Sequence, residues 1–454
     1  MTTVAGKPGL GSIAARLERL PQSRWHVKVR FLIGAVTFFE AFDQLLSASA
    51  LPVLIKDWHL STAQATFAIT SGSVGMLLGA LVAGWLGDRV GRVRTVALGV
   101  AVTALASLAV AFSNNIEMFS LCRFVQGLGI GGVVPVAATY INEIARSDKR
   151  GRFVLIYEMI FPLGLAAATL VAVWVVPTFG WRAMFVIGAL PVLLAVVLPK
   201  KVVESPRWLL SQGRTEEAEQ VIARIEAEVA AATGADLPEP VEGRGDDTAK
   251  GSLRDLFTGK YLRRTTVLSA LWFVAYYVNH GISTWLPSLY VKHFGLDLTT
   301  ALTYTLLSNV TGLLGTFAVA LVIDRIGRRP ALVAALGGSA LTLVTLALVG
   351  VTSGSQVALF ASCTTFFVYA INAGLYLYSP ELYPTCNRAK GAAFGGLWNR
   401  LGVILGPITV GAILGGGGSL TLVFAQLAGV AAVGAVIALF AVETKGKTLE
   451  ELNS

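Results

Sequence analysis

Six ionisable residues lie inside stretches that are otherwise almost wholly apolar: Glu40, Asp43, Arg123, Glu158, His280 and Arg400. Inside hydrocarbon such groups are costly, and by default they face a water-filled cavity and mark a path for an ion or polar solute. Asp43 stands thirteen residues from Arg30 and thirteen from Lys56, roughly 20 Å from either flank at helical rise. Glu40 precedes it by about one turn on nearly the same face. An acid at mid-depth and Arg123 on a neighbouring helix can form a proton switch. While paired, the carboxylate keeps its charge; when the arginine moves away, desolvation favours the protonated acid. The competing reading is a static ion pair that fixes two helices. Arg123 opens the run Arg123-Phe124-Val125-Gln126-Gly127-Leu128-Gly129, whose spaced glycines allow close packing. Gln126 in that run is a candidate substrate contact.

Arg400 lies ten residues beyond Lys390, roughly 15 Å deep along a helix. A guanidinium does not deprotonate, so at that depth it needs an anionic partner or a wet cavity. The candidates are a substrate anion, a carboxylate such as Glu158, or backbone carbonyls. Aromatic residues gather in the same part of the chain, with nine of the 11 tyrosines beyond residue 260. Trp398, Tyr276, Tyr277 and Tyr376, with Asn279 and His280 alongside, could wall a pocket for a planar ligand. Tyr157 and Glu158 join the candidate substrate contacts. Interfacial aromatic belts account for some of the tyrosines. Glu158 is six residues from Arg152 and can reach the interface, and an interior histidine such as His280 often does no more than hydrogen-bond.

These residues need a scaffold of membrane helices. Of the 454 residues 54% are apolar and only 14% charged, too few charges for a soluble domain. Twelve apolar runs fall at about 30–53, 66–86, 95–113, 117–141, 153–177, 181–199, 265–290, 300–323, 331–351, 355–378, 391–414 and 418–441. Each can span a ~30 Å hydrocarbon layer as a helix. The expected fold is therefore all-α and integral to the membrane. With the N-terminus in the cytoplasm, 31 of the 36 Lys and Arg fall on cytoplasmic segments. That bias places both termini there and explains the net charge of +9 without nucleic acid. The first apolar run is long enough to anchor, so no cleavable signal is read, and short external loops suit a bacterial inner membrane. Cys122, Cys363 and Cys386 and the four histidines are scattered, which gives no metal-ligand spacing. Gly446-Lys447-Thr448 resembles the end of a phosphate loop, but position 441 is alanine and no strand precedes it. No nucleophile–His–acid set is present. The sequence is read as not an enzyme, with no cofactor and no metal.

The chain also repeats itself. Gly87-Asp88-Arg89-Val90-Gly91-Arg92 returns as Ile323-Asp324-Arg325-Ile326-Gly327-Arg328, 236 residues on. Glu143 and Arg150 are answered by Glu381 and Arg388 at 238, and Glu204 by Glu443 at 239. Leu51-Pro52 returns as Leu286-Pro287 at 235. Near-equal offsets indicate two homologous six-helix halves, so the expected architecture is two pseudo-symmetric bundles. The divisions are 1–199, a cytoplasmic linker 200–264 with an amphipathic helix over 215–232, and 265–454. In the Asp-x-x-Gly-Arg loops the glycine permits a tight turn. The aspartate could cap the next helix or pair across the interface between the halves. Asp88, Arg89, Arg92, Glu143 and Arg150 are expected to gate together with Asp324, Arg325, Arg328, Glu381 and Arg388. The second half lacks a counterpart of Asp43 and Arg123, so that pair is not required merely to fold six helices.

On these motifs the chain resembles the major facilitator superfamily over nearly its whole length. Glu204-Ser205-Pro206-Arg207-Trp208-Leu209 and Glu443-Thr444-Lys445-Gly446-Lys447 look like its sugar-porter branch. Tyr378-Ser379-Pro380-Glu381-Leu382-Tyr383-Pro384-Thr385 and Arg400-Leu401-Gly402 look closer to its organic-ion, nicotinate-type and aromatic-acid symporters. The resemblance implies alternating access about a midplane site, with Asp43 and Arg123 in the proton-coupling role. The expected activity is proton-coupled import of a small organic anion, in particular an aromatic or heteroaromatic carboxylate held by Arg400. Rival readings are a carrier of a cation, zwitterion or sugar using Glu40, Asp43 and Glu158, a drug/proton antiporter, and a sensor on a transporter scaffold. The expected partners are a small-molecule substrate, protons and the lipid bilayer, with the protein as a monomer.

Overall fold

The computed structural model describes residues 10–144, 159–234, 236–240, 252–384 and 387–446. Arg150, Tyr157, Glu158 and Cys386 lie outside the described residues. A short helix α1 (Leu10–Glu18) precedes the first span, α2 (Arg24–Asp57). Spans two to five are α3 (Thr62–Val90), α4 (Arg92–Ala111), α5 (Ile116–Ile144) and α6 (Ile160–Phe179). Span six is two helices, α7 (Trp181–Gly188) and α8 (Val192–Lys201). The connecting segment carries α9 (Pro206–Ser211), α10 (Thr215–Thr233) and a 3-10 turn (Leu253–Phe257). Span seven is α11 (Gly259–Ser283) with α12 (Leu286–Phe294). Spans eight to twelve are α13 (Leu298–Ile326), α14 (Arg328–Val349), α15 (Gly354–Glu381), α16 (Arg388–Gly415) and α17 (Leu420–Ala438).

Two of the spans expected to be continuous are broken. Span six is interrupted at residues 189–191, where Pro191 precedes α8, and span seven at residues 284–285, with Pro287 in the first turn of α12. Proline lacks the amide and crowds the preceding turn, so it restarts a helix more readily than it continues one. Eleven spans among the described helices are long and apolar enough to cross a membrane on composition alone. The seventh falls short because Tyr276, Tyr277, Asn279 and His280 interrupt it. Broken, polar helices are where transporter sites are built.

Glycine allows the backbones inside a half to touch. A Cβ on Gly75 would lie 2.1 Å from the Phe124 carbonyl oxygen, and one on Gly131 would lie 1.9 Å from that of Met76. Helices α3 and α5 therefore meet main chain to main chain, as polar-poor membrane helices do when small residues align. In the second half, Gly402 and Gly406 bring α16 equally close to α11 at Phe273 and Tyr277. Large apolar side chains such as Leu348, Leu321 and Phe31 point outward toward the bilayer.

Four of the helices beginning at the face away from the basic loops carry their own caps. Ser61 accepts from the Gln64 amide at 3.2 Å, Asp297 from Thr300 at 2.9 Å, Ser353 from Gln356 at 3.2 Å, and Ser419 from Leu422 at 3.2 Å. That face is also where the halves meet. Helix α12 packs on α2, and Gly411 and Gly415 of α16 sit against Thr66 and Thr62 of α3. Near mid-depth, Asn309 of α13 donates to Thr169 of α6 at 2.8 Å and accepts from Tyr369 at 2.7 Å. At the basic face, none of the ion pairs among the described residues joins one half to the other: those of Arg92 and Arg328 stay within their own halves, and Arg16 and Arg19 of α1 pair with Glu219 and Glu226 of the connecting segment.

Candidate functional site

The first half buries an acid and a base without joining them. Asp43 on α2 is 1% exposed, and neither carboxylate oxygen has a hydrogen-bond partner among the described residues. Room for it comes from Gly188 at the end of α7. An added Cβ there would lie 2.5 Å from Asp43 Oδ1, 2.7 Å from Leu46 and 2.8 Å from Ser107 Oγ. Glu40 is buried about one turn nearer the basic face. Arg123 on α5 is also buried, with its guanidinium laid along Gly72 of α3. Its Nη1 donates to Gln126 Oε1 at 2.5 Å, while its Nε has no partner among the described residues. The charges of Asp43 and Arg123 feel each other, yet no ion pair within bonding range joins them. Gln126, expected as a substrate contact, holds the arginine through its Oε1, and its Nε2 has no partner among the described residues.

The second half presents a lone cation beside aromatic rings. Arg400 on α16 is half-buried and has no hydrogen-bond or ion-pair partner among the described residues. It lies within electrostatic reach of His280, whose ring stacks on Tyr276 at 6.0 Å. Tyr276 leans on Trp272 at 5.6 Å, and Trp272 meets Tyr376 edge-on at 4.8 Å. The Trp272 indole donates to Ser379 at 2.9 Å, which fixes the centre of this wall. Trp398 packs edge-on to Phe394 at 6.4 Å with its indole N–H unpartnered.

One expected contact faces elsewhere. The Tyr277 hydroxyl bonds Thr409 at 2.5 Å and receives the Gln426 amide. It joins spans seven, eleven and twelve rather than the Tyr276–Tyr376 wall, because adjacent helix positions point about 100° apart. Asn279 is buried with its side-chain oxygen unpartnered, as are those of Asn372 and Asn399. The last two were not anticipated. Asn372 lies one turn before Tyr376 on the same face of α15, and Asn399 adjoins Arg400; that spacing was the available signal.

The repeated loops form two matching networks. Arg92 donates to Asp88 at 2.6 Å and to Glu143 at 3.3 Å. Arg328 donates to Asp324 at 2.8 Å and to Glu381 at 2.8 and 3.0 Å. The aspartates therefore do not cap the following helices, nor do they pair with described residues across the halves; each takes the arginine four residues on. The caps come from far along the chain. Glu204 accepts the amides of Arg92 at 2.9 Å and Val93 at 3.2 Å, and Glu443 those of Arg328 at 2.9 Å and Arg329 at 3.0 Å. Carboxylates placed there meet the positive end of the helix dipole. Both helices start from glycines at positive φ, Gly91 at 117° and Gly327 at 100°, which offer no capping side chain of their own. Burial opposes charge on Glu443, but the amides of Lys445, Arg328 and Arg329 outweigh it and hold its carboxyl below the ordinary range. Arg89 stacks on Trp85 at 4.4 Å, and the Arg325 carbonyl receives Lys445. Arg388 opens α16 at the same face.

Two alike bundles, a buried acid and base in one and an arginine within electrostatic reach of the Tyr276-stacked His280 in the other, match a major facilitator transporter, a membrane carrier and not an enzyme. The chain belongs to the sugar (and other) transporter family, which matches residues 30–454. It is 34% identical over 442 residues to the niacin transporter NiaP of Acinetobacter baylyi, covering 97% of this chain and 99% of the relative. It is 31% identical over 443 residues to the 4-hydroxybenzoate transporter PcaK of Pseudomonas aeruginosa, covering 96% and 95%. A solved structure of the proton:xylose symporter XylE shares the fold, with TM-score 0.71, 19% identity and coverage of 95% and 98%.

Proposed function

We propose that the protein imports an aromatic or heteroaromatic monocarboxylate together with protons across a bacterial inner membrane. The observation that carries this reading is Arg400, a cation with no described partner, within electrostatic reach of His280, whose ring stacks on Tyr276 of the Trp272–Tyr276–Tyr376 wall. A planar guanidinium suits a carboxylate bidentately, and the rings suit a flat ligand. The relatives named for niacin and 4-hydroxybenzoate support a substrate of that class. Asn372, Asn399 and the Trp398 indole would meet ring substituents or a ring nitrogen.

Coupling resides in the first half. Arg123 engaged by Gln126 and Asp43 without a partner among the described residues support a stage in which Asp43 carries the proton. Release of the proton draws Arg123 off Gln126 toward Asp43 and shifts α5 against α2. With the basic face in the cytoplasm, the contacts at the other face support an inward-facing state. The Arg92 and Arg328 networks would then exchange partners across the halves when the cytoplasmic side closes.

Arg400→Ala separates this reading from its rivals. A charge-assisted pair contributes roughly 1.5–3 kcal/mol, so binding of nicotinate or 4-hydroxybenzoate should weaken by about one to two orders of magnitude. Arg400→Lys should recover part of the loss. Isothermal titration of purified protein reads both. Tight binding of an organic amine, undiminished in Arg400→Ala, would instead favour a cation carrier built on the acidic residues.

A further inference from the structure

Three cations crowd one end of a groove on the outer wall of the first half. The groove, about 610 Å³ in volume, runs between α2 and α8. Arg24 and Lys28 from the start of α2 and Lys201 from the end of α8 line its mouth. No acidic residue lines it, and the three side chains have no hydrogen-bond or ion-pair partner among the described residues.

The rest of the lining is apolar and turned outward. Phe31 is 72% exposed and Val27 54%, although both belong to a helix at a bilayer boundary. Phe31 is seven residues inward from Arg24, about 10 Å along the helix, and Val197 is about 6 Å inward from Lys201. Charge at the helix ends and apolar surface toward the membrane centre is the polarity of a phospholipid standing in its leaflet. The volume falls within the range of small-molecule sites, enough for a headgroup and the upper part of a chain. Basic pockets between membrane helices favour anionic headgroups, at about 1 kcal/mol per cation.

We propose that this groove binds one anionic phospholipid, with Arg24, Lys28 and Lys201 on its phosphate and an acyl chain along Val27, Phe31 and Val197. The site is separate from the Asp43 and Arg400 regions, so it stands or falls independently of the transported substrate.

The test is native mass spectrometry of the delipidated full-length protein titrated with dioleoyl phosphatidylglycerol or dioleoyl phosphatidylcholine. One phosphatidylglycerol should be retained in preference to phosphatidylcholine. Arg24→Gln/Lys28→Gln/Lys201→Gln should weaken that retention by about a hundredfold. Arg254→Gln/Arg263→Gln/Lys292→Gln removes the same charge from exposed positions elsewhere and should leave retention unchanged. The charge-keeping variant Arg24→Lys/Lys28→Arg/Lys201→Arg should bind like the wild type, and Phe31→Ser should lose severalfold. Glycerol 1-phosphate should not compete. Equal retention of the two lipids, unchanged retention in the first triple variant, or loss in the charge-keeping variant would overturn the proposal. Competition by glycerol 1-phosphate would also overturn it and assign the cations to a free phosphate ester.

Discussion

Gly188→Ala probes the space that admits Asp43. The added methyl would sit 2.5 Å from Asp43 Oδ1, 2.7 Å from Leu46 and 2.8 Å from Ser107 Oγ, closer than side-chain carbons approach such atoms. Ser107 cannot yield easily, because its hydroxyl is spent on the Phe185 carbonyl at 2.9 Å. Overpacking of this kind costs about 1–3 kcal/mol, and the atom with most freedom to retreat is the unbonded carboxylate. The variant should therefore be less stable to heat in detergent, and the pH dependence of its uptake should shift because the acid has moved. A double-mutant cycle with Asp43→Ala gives the sharper measurement. If the methyl presses on the carboxylate, removing that carboxylate relieves part of the cost, and the two changes should be non-additive by about 1 kcal/mol. Additive effects, or a single variant as stable as the wild type, would refute the packing argument.

Three further outcomes are expected. Glu443 is held below its ordinary value of 4.5 by the α14 amides, so its contribution to stability is present above pH 4.5 and is lost as pH falls through its lower folded value. Unfolding temperatures measured from pH 6 to 3.5 should fall less steeply in Glu443→Gln, which should already be about 1 kcal/mol less stable at pH 6; parallel curves would contradict this. Gly327→Ala should destabilise by about 1–2 kcal/mol, since φ is 100° and its Cβ would lie 2.6 Å from Glu443 Oε2. Gly337→Ala in the following helix, with open space around it, should stabilise by about 0.5–1 kcal/mol; equal signs in thermal unfolding would reject the contrast.

Much of the architecture was legible because a bilayer simplifies the code: apolar length gives spans, and basic residues mark one face. The breaks in spans six and seven were visible only as Pro191 and Pro287, which a hydropathy average conceals. The Asp88 and Asp324 repeats marked loops that form matching networks, but in this structure each aspartate takes the arginine four residues on rather than a helix cap or a described partner across the halves. Capping by Glu204 and Glu443 depends on spans six and twelve returning beside α4 and α14, a long-range fact; the equal offset was the only hint. At the candidate site, depth and charge pointed to Asp43, Arg123 and Arg400, whose roles are proposals. Which neighbour each one holds depends on helix rotation, so the partners of Gln126 and Tyr277 were not legible and Asn372 and Asn399 went unnoticed.

The central claim is that one chain couples a proton at Asp43 to a carboxylate at Arg400. Proteoliposomes loaded at pH 7.5 and diluted into pH 5.5 buffer with radiolabelled nicotinate, or 4-hydroxybenzoate in parallel, test it directly. The wild type should concentrate substrate inside. Asp43→Asn should exchange labelled for unlabelled substrate yet fail to accumulate it. Accumulation by Asp43→Asn under the same pH difference would contradict the account and move the proton to another group, Glu40 first.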